Sequence, residues 1–331
     1  MKLEIIEGSI GYKESHKDKV VKSGINLSAD RGDIVALLGS NGIGKSTLLR
    51  SIVGIQPLLD GVIQYKQRPM SSYSKSEWSR MVSYVSTDSI MVPNMTVYDV
   101  VSLGRFPYTG WLGRLRDKDT QIVDEAISQV GLKDFCSREI STLSDGEKQR
   151  VMIARALAQD TEMVILDEPT AFLDLPNKYE IIYLLKRLAR SMGKIILFST
   201  HDFNIATHEV DKLWLVTSDI CTEGAPEDLM KSRIIESLFD SQRITFDMKR
   251  GDFVSPHKPK FYINFPQWLS DEDFMVIEKA LKRIHVGIAP DDADWSLHYE
   301  DNKWIVENSQ KNSHNAFDSI YLLCRFFSEQ L

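Results

Sequence analysis

The sequence predicts an α/β protein built on a parallel sheet and followed by a smaller α+β unit. Two observations carry the first part. The runs at 34–38, 163–166 and 195–198 are apolar at every position, the pattern of strands covered on both faces. Between the last two, the segment 176–192 opens with Pro176 and spaces Ile181, Leu184, Leu185 and Leu188 as one face of a helix. A strand–helix–strand unit of this kind sets its two strands parallel. A third observation carries the second part. Turn-rich chemistry gathers near 240–260, where Lys249-Arg250-Gly251-Asp252 is followed by Pro256-His257-Lys258-Pro259, and the domains are read as 1–240 and 241–331.

Within the first domain, which reads as alternating strands and helices, 34–38 ends at Gly39 and a short helix over 46–53 is stopped by Gly54. A strand follows over 82–87. Thr96 with Asp99, and Ser144 with Glu147, are capping pairs that begin helices. In the second domain we expect a strand at 260–264, a helix at 271–283, a hairpin of 296–299 and 304–306 around 300–303, and a closing helix over 316–329. Trp268, Trp295 and Trp304 supply its core. Asp291-Asp292-Ala293-Asp294 lacks the glycine and terminal glutamate of a calcium loop and reads as a solvated acidic turn.

Composition excludes several classes of function. Hydrophobic residues make up 43% and charged residues 26% of the 331, enough for a sizeable core and far from the make-up of a disordered chain. Lys and Arg number 40 against 47 Asp and Glu, so a general nucleic-acid surface is not expected. The three cysteines, Cys136, Cys221 and Cys324, form no CxxC pair; neither a zinc site nor a disulfide framework is expected, and a reducing compartment fits. The first residues carry no apolar stretch of signal-peptide length. No apolar run approaches a membrane span, so a soluble protein is expected, one that sits on a membrane only through a partner.

The strongest motif is Gly39-Ser40-Asn41-Gly42-Ile43-Gly44-Lys45-Ser46, which matches G-x-x-x-x-G-K-[ST] in full between an expected strand and an expected helix. Glycines let backbone N–H groups turn inward without a Cβ in the way. The helix start adds its positive dipole end. Lys45 supplies charge to the β- and γ-phosphates, and the Ser46 hydroxyl ligates Mg²⁺. Gly39, Ser40, Asn41, Gly42, Gly44, Lys45, Ser46 and Thr47 are therefore the ATP-binding candidates. A second helix start, Ser144-Asp145-Gly146-Glu147, offers another cluster of N–H groups suited to an anion. Alone it reads as an ordinary capped helix; beside a phosphate loop it gains weight.

With these two motifs in hand, the chain resembles the ATP-binding subunit of an ABC transporter, with Leu143-Ser144-Asp145-Gly146-Glu147 standing where the family carries its signature. The resemblance covers about 2–240 and implies a P-loop ATPase with a helical signature subdomain at about 88–160. It implies a head-to-tail homodimer, each ATP lying between the phosphate loop of one copy and the Ser144/Gly146 helix tip of the other. It assigns Asp167, at the end of the strand 163–166, to Mg²⁺ through water, and Glu168 to polarising the attacking water. Asp174 becomes the residue that communicates across the dimer, His201 the switch residue at the γ-phosphate, and Tyr12 the aromatic that stacks on adenine. Two departures stand out. A glutamine that normally ends the strand at 82–87 is replaced by Thr87, followed by Asp88, and one of these is expected to take over its Mg²⁺ contact. Asp145 and Glu147 stand where glycine and glutamine are usual, and an added carboxylate repels a triphosphate unless its side chain points away.

The stretch from Asn94 to Tyr108, with its Leu103-Gly104-Arg105-Phe106-Pro107, resembles the ATPases of importers for ferric siderophores, haem and vitamin B12. Val97, Phe106, Pro107, Tyr108 and Trp111 suit a groove for a membrane partner. The resemblance thus implies an ATPase that energises import, with ferric siderophore ranked before haem and cobalamin. Two permease subunits and, indirectly, a substrate-binding protein are its partners, nucleic acid is not, and its place is the cytoplasmic face of a bacterial inner membrane. The alternative is a non-transport ATP switch whose C-terminal domain grips a protein or nucleic acid. Residues 241–331 are read as a dimer-stabilising or regulatory accessory domain.

Overall fold

Two kinds of strand pattern in the first 240 residues produce two sheets. The computed structural model describes residues 1–13, 18–87, 94–110, 113–238, 244–248, 251–254, 259–264, 270–289, 293, 295–308 and 313–330. It divides into two units, Met1–Asp240 with Met248–Asp252, and Ser241–Asp247 with Phe253–Leu331. Of the expected features, Asp88, Trp111, His257, Trp268, Asp291, Asp292 and Asp294 lie outside the described residues.

In the first unit the apolar runs form the middle of a six-stranded sheet. Its order is Cys221–Gly224, Lys212–Val216, Ile34–Leu38, Ile195–Thr200, Met163–Leu166, Val82–Val85, and every pairing but the first is parallel. The predicted α/β class stands. The helix Leu175–Met192, opened by Asp174 and closed by Gly193 at φ +60, packs on the central strands. The reading of 1–240 as simply alternating strands and helices is corrected at its start. Lys2–Tyr12 pairs antiparallel with both Lys19–Asp30 and Asp60–Tyr65, and Arg68–Pro69 completes a second, four-stranded sheet. Glu7, at φ +48, begins a bulge between these strands. Gly61 is required opposite it, because a Cβ there would lie 2.4 Å from the Glu7 carbonyl oxygen. Leu3, Ile5, Ile25 and Ile63 from this sheet meet Val35, Leu37, Ile165 and Leu197 from the other in one core, with Leu49 of the helix Lys45–Ile52 between them.

Between the strands Val82–Val85 and Met163–Leu166, three helices pack together: Val97–Ser102, Asp117–Gln129 and Asp145–Ala158. Thr96 and Ser144 cap the first and third through complete capping boxes with Asp99 and Glu147. A buried arginine ties the group. Arg105 donates Nε to Asp119 Oδ1 at 2.9 Å and Nη1 to the Ala158 carbonyl at 2.8 Å, with its guanidinium carbon 3.9 Å from the Tyr108 ring centre. Arg105→Ala orphans both acceptors, and we expect urea denaturation to show a loss of about 3 kcal/mol.

The second unit has a five-stranded sheet in the order Val286–Ile288, Phe261–Asn264, Trp295–Glu300, Lys303–Asn308, Ser313–Phe317. The helices Asp271–Arg283 and Ile320–Glu329 contribute Ile277, Leu281, Leu323 and Phe327 to a core with Trp295, Leu297, Trp304 and Val306. Asp301 and Asn302, both at positive φ, form the two-residue hairpin turn. The closing helix expected over 316–329 is corrected: Ala316 and Phe317 belong to an edge strand registered on Trp304 and Ile305. The helix starts only where the Ser319 hydroxyl can accept from the Leu322 N–H. A short strand pair, Thr245–Asp247 and Asp252–Val254, brings Phe246 and Phe253 edge to face.

Candidate nucleotide site

The phosphate-loop residues meet the strand-end carboxylates at the end of the parallel sheet where the strands finish. The loop leaves the strand Ile34–Leu38 through Gly39, where a Cβ would lie 2.4 Å from the Val216 carbonyl oxygen. Gly42 and Gly44 adopt φ +79 and +108, open to glycine and strained for other residues. Gly44 begins the helix Lys45–Ile52 with no side-chain cap, so its first N–H groups can serve an external anion. Lys45 is only 6% exposed; its ammonium donates to the carbonyl oxygens of Gly39 at 2.9 Å and Ser40 at 3.2 Å, and sits 3.9 Å from Glu168 Oε1. Burial pushes its pKa down, while the nearby Glu168 and Asp167 oppose the shift.

Asp167 and Glu168 follow the strand Met163–Leu166 directly. Asp167 is buried and accepts from the Ser199 hydroxyl at 2.6 Å and from the Tyr84 hydroxyl at 3.3 Å. Burial first, then the charge of Asp167, raises the Tyr84 pKa to about 12, so its phenol stays protonated as a donor. The Thr87 hydroxyl donates to the Asp167 carbonyl oxygen at 3.0 Å. Thr87 thus latches the backbone of the same strand end. His201 Nδ1 lies 3.3 Å from Glu168 Oε2. Tyr12 is half exposed, with its hydroxyl 3.2 Å from Thr47 Oγ1. One neighbourhood therefore holds Tyr12, the loop from Gly39 to Thr47, Thr87, Asp167, Glu168 and His201.

The remaining candidates form a second cluster. Gly146 abuts Asn177, whose side chain would meet a Cβ there at 2.8 Å, and Asn177 in turn donates to the Asp174 carboxylate from both its backbone and its side chain. No hydrogen bond or ion pair among the described residues joins Ser144, Gly146 or Asp174 to Lys45, Asp167, Glu168 or His201. The Ser144 hydroxyl donates to Glu147 Oε2 at 2.8 Å, and the Ser144 N–H holds the Glu147 carboxyl below its ordinary pKa. The Asp145 side chain is 75% exposed and lies 3.5 Å from Lys148, its neighbour one turn along the helix.

The groove residues separate. Val97 is fully buried in the core of the helical group, Tyr108 donates its hydroxyl to the Gln159 carbonyl, and Phe106 stands 76% exposed. Beside them Tyr73, Trp78, Met70 and Gln159 line a cavity of about 360 Å³. Sequence reasoning missed Tyr84, Ser199 and Phe172. The last is 92% exposed at φ +64, two residues before Asp174, a costly backbone for an aromatic. Two hydroxyls ending an otherwise apolar strand, Ser199-Thr200, were the available signal for Ser199.

The chemistry of the donors fits a magnesium nucleotide. A glycine cradle, an uncapped helix start and a buried lysine suit a triphosphate. Among the described residues no three His, Cys, Asp or Glu side chains converge as a metal cage. One carboxylate and one hydroxyl, completed by phosphate oxygens, is the usual Mg²⁺ arrangement.

Comparison with known proteins points the same way. The pattern of the ABC transporter family matches residues 23–171. An uncharacterised ABC transporter ATP-binding protein of Methanocaldococcus jannaschii is 36% identical over 252 residues, covering 76% of this chain and 86% of its own length. The iron(3+)-hydroxamate import ATP-binding protein FhuC of Bacillus subtilis is 34% identical, over 71% of this chain and 87% of its own. Among solved structures, an inward-facing ABC transporter described as of the metal-chelate type superposes with a TM-score of 0.61 at 27% identity, covering 76% of this chain and 95% of its own.

Proposed function

The chain belongs to the ABC transporter ATP-binding proteins, and from that membership we propose that it energises the import of a ferric siderophore, as a homodimer bound to two permease subunits on the cytoplasmic face of the inner membrane. The chain is an ATPase of the ABC type. The cargo is proposed from its likeness to an iron(3+)-hydroxamate import protein and to a transporter of metal-chelate type. Among the described residues no helix is long and apolar enough to cross a membrane, so energy must reach the permease through contact. Phe106 and the cavity beside Trp78 and Gln159 offer the apolar surface for it.

The observation that carries the reading is the meeting of Lys45, Asp167, Glu168 and His201 at one sheet end. In the proposed cycle the loop amides and Lys45 grip the β- and γ-phosphates, and Tyr12 stacks on adenine. Ser46, Asp167 and Thr87 or Asp88 would hold Mg²⁺, which would supply charge neutralisation at the phosphate oxygens. Glu168 takes a proton from the attacking water, and His201, whose Nδ1 lies 3.3 Å from Glu168 Oε2, contacts the γ-phosphate. Ser144 and Gly146 of the second copy close over the γ-phosphate. The exposed Phe172, beside Asp174 and near the exposed Leu175, supports a partner surface there.

The test is uptake. A strain lacking this chain should take up iron-55 hydroxamate at least about tenfold more slowly, with wild type and not Lys45→Ala restoring it. Undiminished uptake in that strain would contradict the cargo; loss of hydrolysis by the purified chain would contradict the ATPase roles.

A further inference from the structure

We propose that Ser199 is a positioning residue for hydrolysis, its one hydroxyl holding Asp167 and Glu168 in working geometry together. The inference deepens the reading above and rests on the roles given there to the two carboxylates.

The placement follows from strand register. Met163–Leu166 and Ile195–Thr200 run parallel with Leu166 beside Phe198, so the next residues, Asp167 and Ser199, come side by side. Ser199 is 0% exposed. A hydroxyl has one proton and two lone pairs, and both kinds of capacity are used. The proton goes to Asp167 Oδ1 at 2.6 Å, and a lone pair accepts the Glu168 N–H at 2.8 Å. Other groups steady one partner alone. Tyr84 and Thr87 bond Asp167, at its second carboxylate oxygen and its carbonyl. Lys45 and His201 lie near the Glu168 carboxylate.

The link matters because Glu168 holds a left-handed backbone, φ +49. That conformation is unfavourable for a residue with a Cβ and persists only where its surroundings fix it. The bond from its N–H to Ser199 is such a restraint. It aims the carboxylate so that Oε1 lies 3.9 Å from Lys45 and Oε2 lies 3.3 Å from His201. Without the hydroxyl, the Glu168 N–H loses its acceptor and Asp167 loses its shortest donor. The first change frees the base to leave its angle; the second lets the carboxylate assigned to Mg²⁺ rotate.

A residue that merely fills space would affect folding and nothing else, so the test separates the two roles. In Ser199→Ala, we expect kcat to fall by about 30-fold with KM for ATP within about threefold of wild type. Mn²⁺ affinity of the ADP complex, read by electron paramagnetic resonance, should weaken by about tenfold. Ser199→Thr, which keeps the hydroxyl, should recover most of both. If Ser199→Ala does not fold, Ser199→Cys, a weaker donor and acceptor, is read in the same way. Turnover and Mn²⁺ affinity both near wild type in the variant without the hydroxyl would overturn the proposal. So would equal losses in the alanine and threonine variants. Glu168→Gln, assayed alongside, isolates the underlying reading: wild-type turnover there would remove the role of Glu168 itself, whatever Ser199 does.

Discussion

Glu168→Gln should lower ATP turnover by about a thousandfold and leave a stable ATP-bound dimer. The amide has nearly the shape of the carboxylate, so the backbone bond to Ser199 is undisturbed. What it lacks is a basic oxygen to take the proton of the attacking water, and loss of a positioned base is worth about 10²–10⁴ in rate. In the proposed cycle binding closes the dimer and hydrolysis reopens it, so blocking the second step should accumulate the closed form. Light scattering on a sizing column with Mg-ATP should therefore show twice 37.8 kDa, while the wild type should return to monomer as ATP is consumed. A Glu168→Gln chain that elutes as a monomer at saturating ATP contradicts the sandwich.

Lys45→Ala removes the buried cation of the phosphate loop, and nucleotide affinity should fall by about 10- to 100-fold, the worth of a charged hydrogen bond at about 1.5–3 kcal/mol. The same lysine carries a cost in the free protein. Burial depresses its pKa below 10.5, so between the folded and unfolded values the unfolded chain holds the extra proton. Stability contributed at this position therefore rises with pH through that window, and below both values the charged form is penalised by burial. Lys45→Met should accordingly melt higher than wild type at pH 7 without nucleotide, and the gap should shrink as pH approaches 10.5. Melting curves at pH 7 and 10 decide it; a variant less stable at pH 7 would show that the loop carbonyls of Gly39 and Ser40 more than compensate the buried charge.

Much of this fold was legible where one residue class repeats without interruption. The runs 34–38, 163–166 and 195–198 had to be buried on both faces, and each is a strand of the parallel sheet. The antiparallel sheet at the start was not legible, because the bulge between Glu7 and Gly8 breaks the alternation that would reveal Lys2–Tyr12. Ser313–Phe317 opens on three polar residues, Ser313, His314 and Asn315, and pairs along its length with Lys303–Asn308, which a local pattern does not encode. The site divides in the same way. Gly39 to Ser46 carry their own chemistry in sequence. Ser199 and Tyr84 acquire theirs only when register sets them beside Asp167, 32 and 83 residues away. Phe172 announces itself by exposure and backbone angle, neither of which can be read from the letter F.

The most direct measurement is a structure of Glu168→Gln with Mg-ATP. It should show two copies facing head to tail, each triphosphate touching Lys45 and the loop amides of one chain and Ser144 and Gly146 of the other. A nucleotide enclosed by a single copy, with its Ser144 helix tip turned to solvent, would contradict the account at its root.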